Sequence, residues 1–488
     1  MSIGAPLIAR ILGSRGVRIR LLKIVVDKIV AILQNTLIPN TVLGVRMGRP
    51  TTVIPPGKRL LPAVVAVTLL LPLLFARTAP AADLSVSSKT FLRYYERELA
   101  GGNKDTYAPL YEYLSADATN LGGKPLAFHF YGWGRLDLGD ASGSGKESGD
   151  VGSAYLEYLH PQGNAQMKLG RFFLTEGAAM ETLDGAFVKA TSSVGLGVSL
   201  YGGAPVEQSI LNGTSTGSSL YGGRVFFAKA GFAEIGASYL VENGSFQGGE
   251  DREEVGGDLW LRVAPPVELT ARATYNRSAS EMASQRYAVR IVPGATVDIS
   301  AGYESYTYKG LFQSTLNPAF VPPSVDNNDD VQTIFGIVDW AFVPGWTLEV
   351  GGKIIRHEKS DPGDANRGEV GVRYAYNDKK DVAGFSAAFV SADQAKNEYQ
   401  EYRGFASYSP SKLRLTLDAL TQQYKEAPIP GVGKKNQYQV VATAGYQLLA
   451  SLQLSGNLTY TQSPNFQEDW AGLVRVNYDF ATSTGGKK

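Results

Sequence analysis

Val474-Arg475-Val476-Asn477-Tyr478-Asp479-Phe480 alternates, residue by residue, between apolar or aromatic side chains and charged or polar ones. Side chains along a β-strand point to opposite faces in turn, so Val474, Val476, Tyr478 and Phe480 meet one environment and Arg475, Asn477 and Asp479 another. The same dyad recurs upstream. Val267, Leu269, Ala271, Ala273 and Tyr275 alternate with Glu268, Thr270, Arg272, Thr274 and Asn276. Leu452, Leu454, Gly456, Leu458 and Tyr460 alternate with Gln453, Ser455, Asn457, Thr459 and Thr461. Burying the polar sets without partners would cost a few kcal/mol per group, so they face water. One face in lipid and one in water, strand after strand, predicts an all-β fold: a single transmembrane antiparallel up-and-down β-barrel with a wet lumen.

Composition agrees. Of 488 residues, 55 are glycine and 26 tyrosine, and only 19% are charged, a mix suited to short strands, tight turns and interfacial aromatics. Mean hydropathy near zero excludes a helical bundle in lipid. No composition break divides the chain after residue 82, so one architecture is expected rather than several domains. With zero cysteines there is no C-x-x-C-H haem attachment and no thiolate metal site. The three histidines, His129, His160 and His357, make no metal-ligand spacing. No metal and no cofactor is expected.

The formal charge of +1 hides two opposite parts. Residues 1–81 hold eleven Lys/Arg against one Asp, a net +10, which leaves 36 basic against 45 acidic residues, a net −9, for the remainder. An acidic mature protein is a poor partner for nucleic acid.

Gly57-Lys58-Arg59, the apolar run Leu60–Phe75 and Ala79-Pro80-Ala81 form the n-region, h-region and cleavage site of a signal peptide. The run is short for a spanning helix, which needs about 20 residues, and Pro62 and Pro72 interrupt it. The domains are read as a basic extension over 1–46, a signal peptide over 47–81 cleaved after Ala81 or Ala82, a barrel over 82–480 and a periplasmic tail over 481–488. In the extension, Ile19, Leu22, Val25, Val26, Ile29, Ile32 and Leu33 recur at helical spacing among basic residues, as in a helix lying on a membrane surface. A mis-assigned start is preferred, because Met47 begins a signal peptide of ordinary form.

Connection lengths count the strands. Short breaks fall near Gly122-Gly123, Pro161–Asn164, Ser192-Ser193, Ala230-Gly231, Pro265-Pro266, Pro293-Gly294, Pro344-Gly345, Asn377–Lys380, Pro410-Ser411 and Leu449-Ala450. Between them lie polar loops centred on Gly101–Asp105, Gly139–Gly149, Thr175–Glu181, Pro205–Gly217, Glu242–Asp251, Arg277–Met282, Lys309–Asp329, Glu358–Asn366, Asp393–Lys396, Lys425–Lys435 and Gln462–Asn465. Ten turns and eleven loops join about 22 strands, an even number with both termini on the short-turn side. The weakest strands are Leu84–Leu99 and Leu183–Ala190, which sets the range at 18–22. By strand parity the lumen wall includes Arg135, Asp137, Glu268, Arg272, Asp298, Glu304, Glu349, Lys353, Arg414, Asp418, Arg475 and Asp479. Lys309–Asp329, the longest loop, is a candidate to fold inward as a constriction.

Leu169-Gly170-Arg171-Phe172-Phe173, followed by Leu183-Asp184-Gly185, resembles the Gly-Arg and Asp-Gly strand motifs of bacterial general porins. The resemblance implies a pore-lining role for Arg171. Its parity matches Met167 and Leu169 instead, so an inward Arg171 needs a bulge, with Gly170 as its site. More broadly, Thr90-Phe91-Leu92-Arg93, Phe130–Leu138, Ala154-Tyr155-Leu156-Glu157-Tyr158, Gly170-Arg171-Phe172-Phe173 and Leu200–Pro205 resemble the porin-like barrels of metal-reducing bacteria. Some of that group sheathe multihaem cytochromes in porin–cytochrome electron conduits, and others are plain porins. Tyr478 and Phe480 match the aromatic closing-strand signal read by the barrel-insertion machinery, although eight residues, Ala481–Lys488, follow it.

The expected function is a passive, water-filled channel in the outer membrane of a Gram-negative bacterium, its wall in contact with outer-membrane lipid. The alternative is a sheath holding a multihaem partner. A barrel hydrolase is a remote third, since it needs a histidine beside a serine or carboxylate and only three histidines exist.

Overall fold

The computed structural model describes residues 82–98, 104–139, 146–209, 213–216, 219–243, 251–307, 329–358, 363–429, 433–464 and 466–482. The extension, the signal peptide, the inward-folding candidate over 309–328 and the end of the tail lie outside them.

The dyad becomes one closed antiparallel sheet of 22 strands. These are β1 (Asp83–Glu98), β2 (Lys104–Tyr107 continued by Pro109–Thr119), β3 (Leu126–Asp137), β4 (Glu147–Leu159), β5 (Ala165–Glu176), β6 (Ala179–Thr191), β7 (Leu196–Ser209) and β8 (Gly213–Thr216 continued by Ser219–Lys229). There follow β9 (Ala233–Asn243), β10 (Arg252–Ala264), β11 (Val267–Asn276), β12 (Glu281–Gly294), β13 (Val297–Thr307), β14 (Asp330–Val343) and β15 (Trp346–His357). The last are β16 (Ala365–Tyr376), β17 (Asp381–Ala392), β18 (Tyr399–Tyr408), β19 (Leu413–Tyr424), β20 (Asn436–Leu449), β21 (Leu452–Ser463) and β22 (Phe466–Thr482). Each strand pairs with its sequence neighbour, and β1 pairs with β22 from Leu84↔Thr482 to Tyr95↔Ala471, which closes the barrel.

Both weakly patterned segments are strands, β1 and β6. β22 runs two residues past Phe480, with Ala481 opposite Ser85 and Thr482 opposite Leu84, so the barrel ends at 482 rather than 480.

Register makes one face continuous. Leu454 lies opposite Val476 and Tyr446, Leu417 opposite Ala442 and Ala406, and Val350 opposite Val338 and Val370. These side chains, with Val225 and Ile235, stand on the outside and are exposed although apolar, Val225 by 64% and Leu417 by 50%. A closed barrel with an apolar outer belt is a transmembrane barrel of the outer-membrane kind. No helix among the described residues is long and apolar enough to cross a membrane.

The Thr175–Glu181 expectation is overturned. In place of a longer polar loop, β5 and β6 meet in a two-residue turn, Gly177-Ala178, with Glu176 paired to Ala179. Strand geometry persists through the polar stretch because Phe172, Leu174, Ala179 and Leu183 are buried on one face of the hairpin.

Candidate functional site

The inner face carries the polar half of the dyad. Asp258, Arg272, Arg286, Glu304, Thr333 and Ile355 lie opposite one another in turn across β10 to β15. Asp298, Asp339 and Glu349 form a second row, and Phe335, Lys353 and Arg367 a third. On the far side Arg414, Gly445, Ser455 and Arg475 make a fourth, which continues through Phe91 and Tyr111 to Arg135.

Some of the wall charges are matched locally. Arg135 pairs with Asp137 at 3.1 Å, Arg262 with Glu268 at 2.5 Å, Arg290 with Asp298 at 2.5 Å and Arg403 with Asp418 at 2.6 Å. Arg475 donates to Ser455 Oγ at 3.3 Å. Lys353 shares a wall recess with Arg286, Glu304 and Phe335, and the Arg286 guanidinium sits over the Phe335 ring at 5.6 Å. Arg414 and Asp479 occupy the same inner face. A wall of mixed charge, acidic in the Asp298, Asp339 and Glu349 row, keeps a lumen hydrated.

Arg171 is placed otherwise. The β4–β5 register runs through Tyr155↔Gly170 without a shift, so no bulge turns Arg171 inward. It keeps the parity of Leu169 and forms a two-bond pair with Asp184, both contacts at 2.7 Å, while a further N–H donates to Val151 O at 3.0 Å.

That pair marks a crease. β4 pairs with β5 only from Ala154↔Arg171 to Leu159↔Gln166, and β6 with β7 only from Leu183↔Pro205 onward, so residues 172–182 leave the wall on both sides. The crease line is glycine: Gly170 lies opposite Gly185, and Gly185 opposite Gly203. A Cβ on Gly185 would stand 2.2 Å from Gly202 O, and one on Gly203 2.2 Å from Asp184 O. Gly170 adopts φ 125, a conformation L side chains rarely take. Stripped of side chains on its inner surface, the sheet folds there like a closing page.

The folded page covers the inner surfaces of β7 to β11. Phe172 and Leu174 bury themselves with Leu183 and Phe187 against Tyr201, Leu220 and Leu240, residues whose parity would otherwise put them in water. Each such side chain contributes about 1.5–3 kcal/mol on full burial. The Gly177 turn has φ 60 and no room for a Cβ, which would meet the Ser238 side chain at 2.3 Å. Ser238 Oγ accepts from Ala178 N at 2.9 Å, and Arg272 donates to Gly177 O at 2.8 Å.

Two guanidinium groups hold the page down. Arg252 on β10 is 4% exposed and donates to Glu254 at 2.8 and 3.0 Å, to Glu242 at 3.1 Å and to Glu181 of the hairpin at 2.9 Å. Arg224 on β8 binds Asp258, Glu234 at 2.8 Å and Glu176 of the hairpin at 3.3 Å, and Lys189 reaches Glu176 at 3.2 Å. The forked donors of arginine suit this sharing. Carboxylates outnumber cations here, with Glu242 and Glu254 each 1% exposed.

The three histidines lie on separate elements, β3, the β4–β5 turn and β15. His129 faces the lumen between Asp117, at 2.6 Å from Nδ1, and Glu157, at 3.0 Å from Nε2, and stacks on Tyr155 at 4.8 Å. His357 Nδ1 binds Asp329 at 2.7 Å, and His160 lies at the β4–β5 turn. Among the described residues no group of three His, Asp or Glu is placed to hold a metal ion.

No family model and no curated protein matches the chain. Solved structures with similar backbones are outer-membrane barrels. The siderophore receptor PirA of Pseudomonas aeruginosa is 12% identical over 81% of this chain and 80% of its own, with a TM-score of 0.49. OccK8 (OprE) of Pseudomonas aeruginosa is 10% identical over 82% of this chain and 98% of its own, with a TM-score of 0.40. The translocation pore of the P pilus usher PapC is 10% identical over 82% of this chain and 100% of its own, with a TM-score of 0.39.

Proposed function

We propose that the barrel is an outer-membrane channel through which small hydrophilic solutes or ions diffuse passively. The observation that carries this reading is the continuous inner face of charged and polar side chains behind an apolar outer belt. Such a wall holds water and sorts solutes by size and field, with no reaction required. Glu268, Arg272, Asp298, Glu304, Glu349, Lys353, Arg414, Asp418, Arg475 and Asp479 then line the route, while Arg135 and Asp137, 6% and 2% exposed, are covered and out of contact with it. The net −9 of the chain after residue 81 favours cations weakly. Reconstitution into planar bilayers tests this: stepwise ion conductance with a reversal potential on the cation side is expected, and an anion-selective potential rejects the sign of the wall field.

A second reading is a sheath around a multihaem electron carrier, and what supports it is size, since barrels of 22 strands commonly hold a plug. It predicts copurification of a haem protein and little conductance from the assembled complex. Purification from native membranes that yields the barrel free of haem absorbance rejects it.

A further inference from the structure

We propose that the β5–β6 hairpin, residues 172–183, is a movable gate: a page hinged on the Gly170–Gly185–Gly203 crease and latched to the inner wall by Arg224 and Arg252. The proposal rests on the channel reading and adds a second position to it.

The hairpin carries the signature of a wall segment. Met167 and Leu169 of β5 stand on the outer face, and Phe173 and Met180 continue that parity. Folding the page brings its inner face onto the wall and turns the outer-parity face toward the lumen. Phe173 and Met180 are accordingly 56% and 46% exposed to water, two large apolar side chains that would face lipid if the page swung back between β4 and β7. The other face has the opposite preference, because Phe172 and Leu174 are buried only while the page is shut. A segment apolar on both faces has a sheltered place for either one, but not for both at once.

The latch is built to be broken. It is made of ion pairs and two hydrogen bonds from the turn, with no strand pairing to the wall it covers. Glu176 and Glu181 compete for their guanidinium groups with Glu234, Glu242, Glu254 and Asp258, all of which stay on the wall when the page leaves. Release therefore leaves Arg224 and Arg252 with partners, which lowers its cost. The crease itself needs no rearrangement of β4 or β7, since neither pairs with residues 172–182.

The chain has no cysteine, so a paired Ala178→Cys, Gly256→Cys variant introduces the only thiols. A Cβ at position 256 would lie 3.2 Å from that of Ala178, close enough for a disulfide, and 2.6 Å from Ser238 Oγ, so Ser238→Ala is added to both the oxidised and the reduced protein to clear that contact. In planar bilayers the oxidised variant should show one steady low conductance, and reductant should restore transitions to a level about twofold higher or more, as a wider lumen requires. A second variant, Arg224→Ala with Arg252→Ala, should favour the high level without any thiol. The gate is overturned if a cross-link verified as complete by mass spectrometry leaves conductance unchanged, or if the arginine variant folds and conducts at the locked level. Absence of conductance from the wild type, the reduced variant and a barrel lacking residues 172–183 would instead overturn the channel reading, and the gate with it.

Discussion

Arg272 on β11 donates to the carbonyl oxygen of Gly177 at 2.8 Å, joining a wall strand to a hairpin tip 95 residues earlier in the chain. The contact exists only because the β5–β6 page crosses the inner faces of four strands to reach the fifth. Removing it is a local operation. Arg272→Ala should cost the docked hairpin about 1.5–3 kcal/mol, the worth of a charge-assisted hydrogen bond. Hydrogen exchange of the hairpin-turn amides should quicken while the β13–β16 ladder keeps its protection; equal protection in both places counts against the contact.

Arg252→Ala should be far more costly. It strands Glu181, Glu242 and Glu254 in a site where the last two are 1% exposed, and about 3–5 kcal/mol is the usual loss when one partner of a buried ion cluster is deleted. Equilibrium unfolding in detergent or lipid should register it. Adding Glu181→Gln, Glu242→Gln and Glu254→Gln to Arg252→Met should recover much of the loss, because the charges that lacked a partner go with it.

Gly185→Val attacks the crease. Its Cβ would collide with Gly202 O at 2.2 Å, so the inner surface could no longer close on itself. Proteinase K should then cut near residue 177 in the folded barrel, whereas the wild-type turn, with Ala178 and Ala179 buried, should resist. Resistance in the variant would show that the fold at the crease tolerates bulk.

Leu417 and Thr416 are chain neighbours on opposite faces of β19. Leu417→Arg should destabilise the barrel by about 2–4 kcal/mol if it lies near the bilayer midplane, while Thr416→Arg, facing the lumen, should be nearly neutral in urea unfolding from lipid. A reversed order would invert the assignment of inside and outside for the whole sheet.

The barrel was legible because proline and glycine punctuate its short turns and because the dyad survives in strands such as β11 and β21. The page was not. Thr175–Glu181 reads as a loop since Glu176, Gly177 and Glu181 are polar or flexible, and nothing local tells a solvated glutamate from one held by Arg252 seventy-one residues later. A signal did exist, spread over several strands: Phe172, Leu174, Tyr201, Leu220 and Leu240 are apolar at lumen parity within one sector, and three glycines align across β5, β6 and β7. Arg171 shows the limit of motif reasoning, because a Gly-Arg pair fixes neither register nor face, whereas its partner Asp184 does. Likewise the carboxylates on either side of His129 come from β2 and β4, and only the pairing of those strands with β3 brings them together.

The seam between β1 and β22 joins the first described strand to the last. Until residues near 482 have been made and delivered, Asp83–Glu98 is paired on its β2 side alone, and the cylinder is an open sheet with two raw borders. Such borders recruit any strand they meet, and the β1–β22 seam is the one pairing that removes both of them at once.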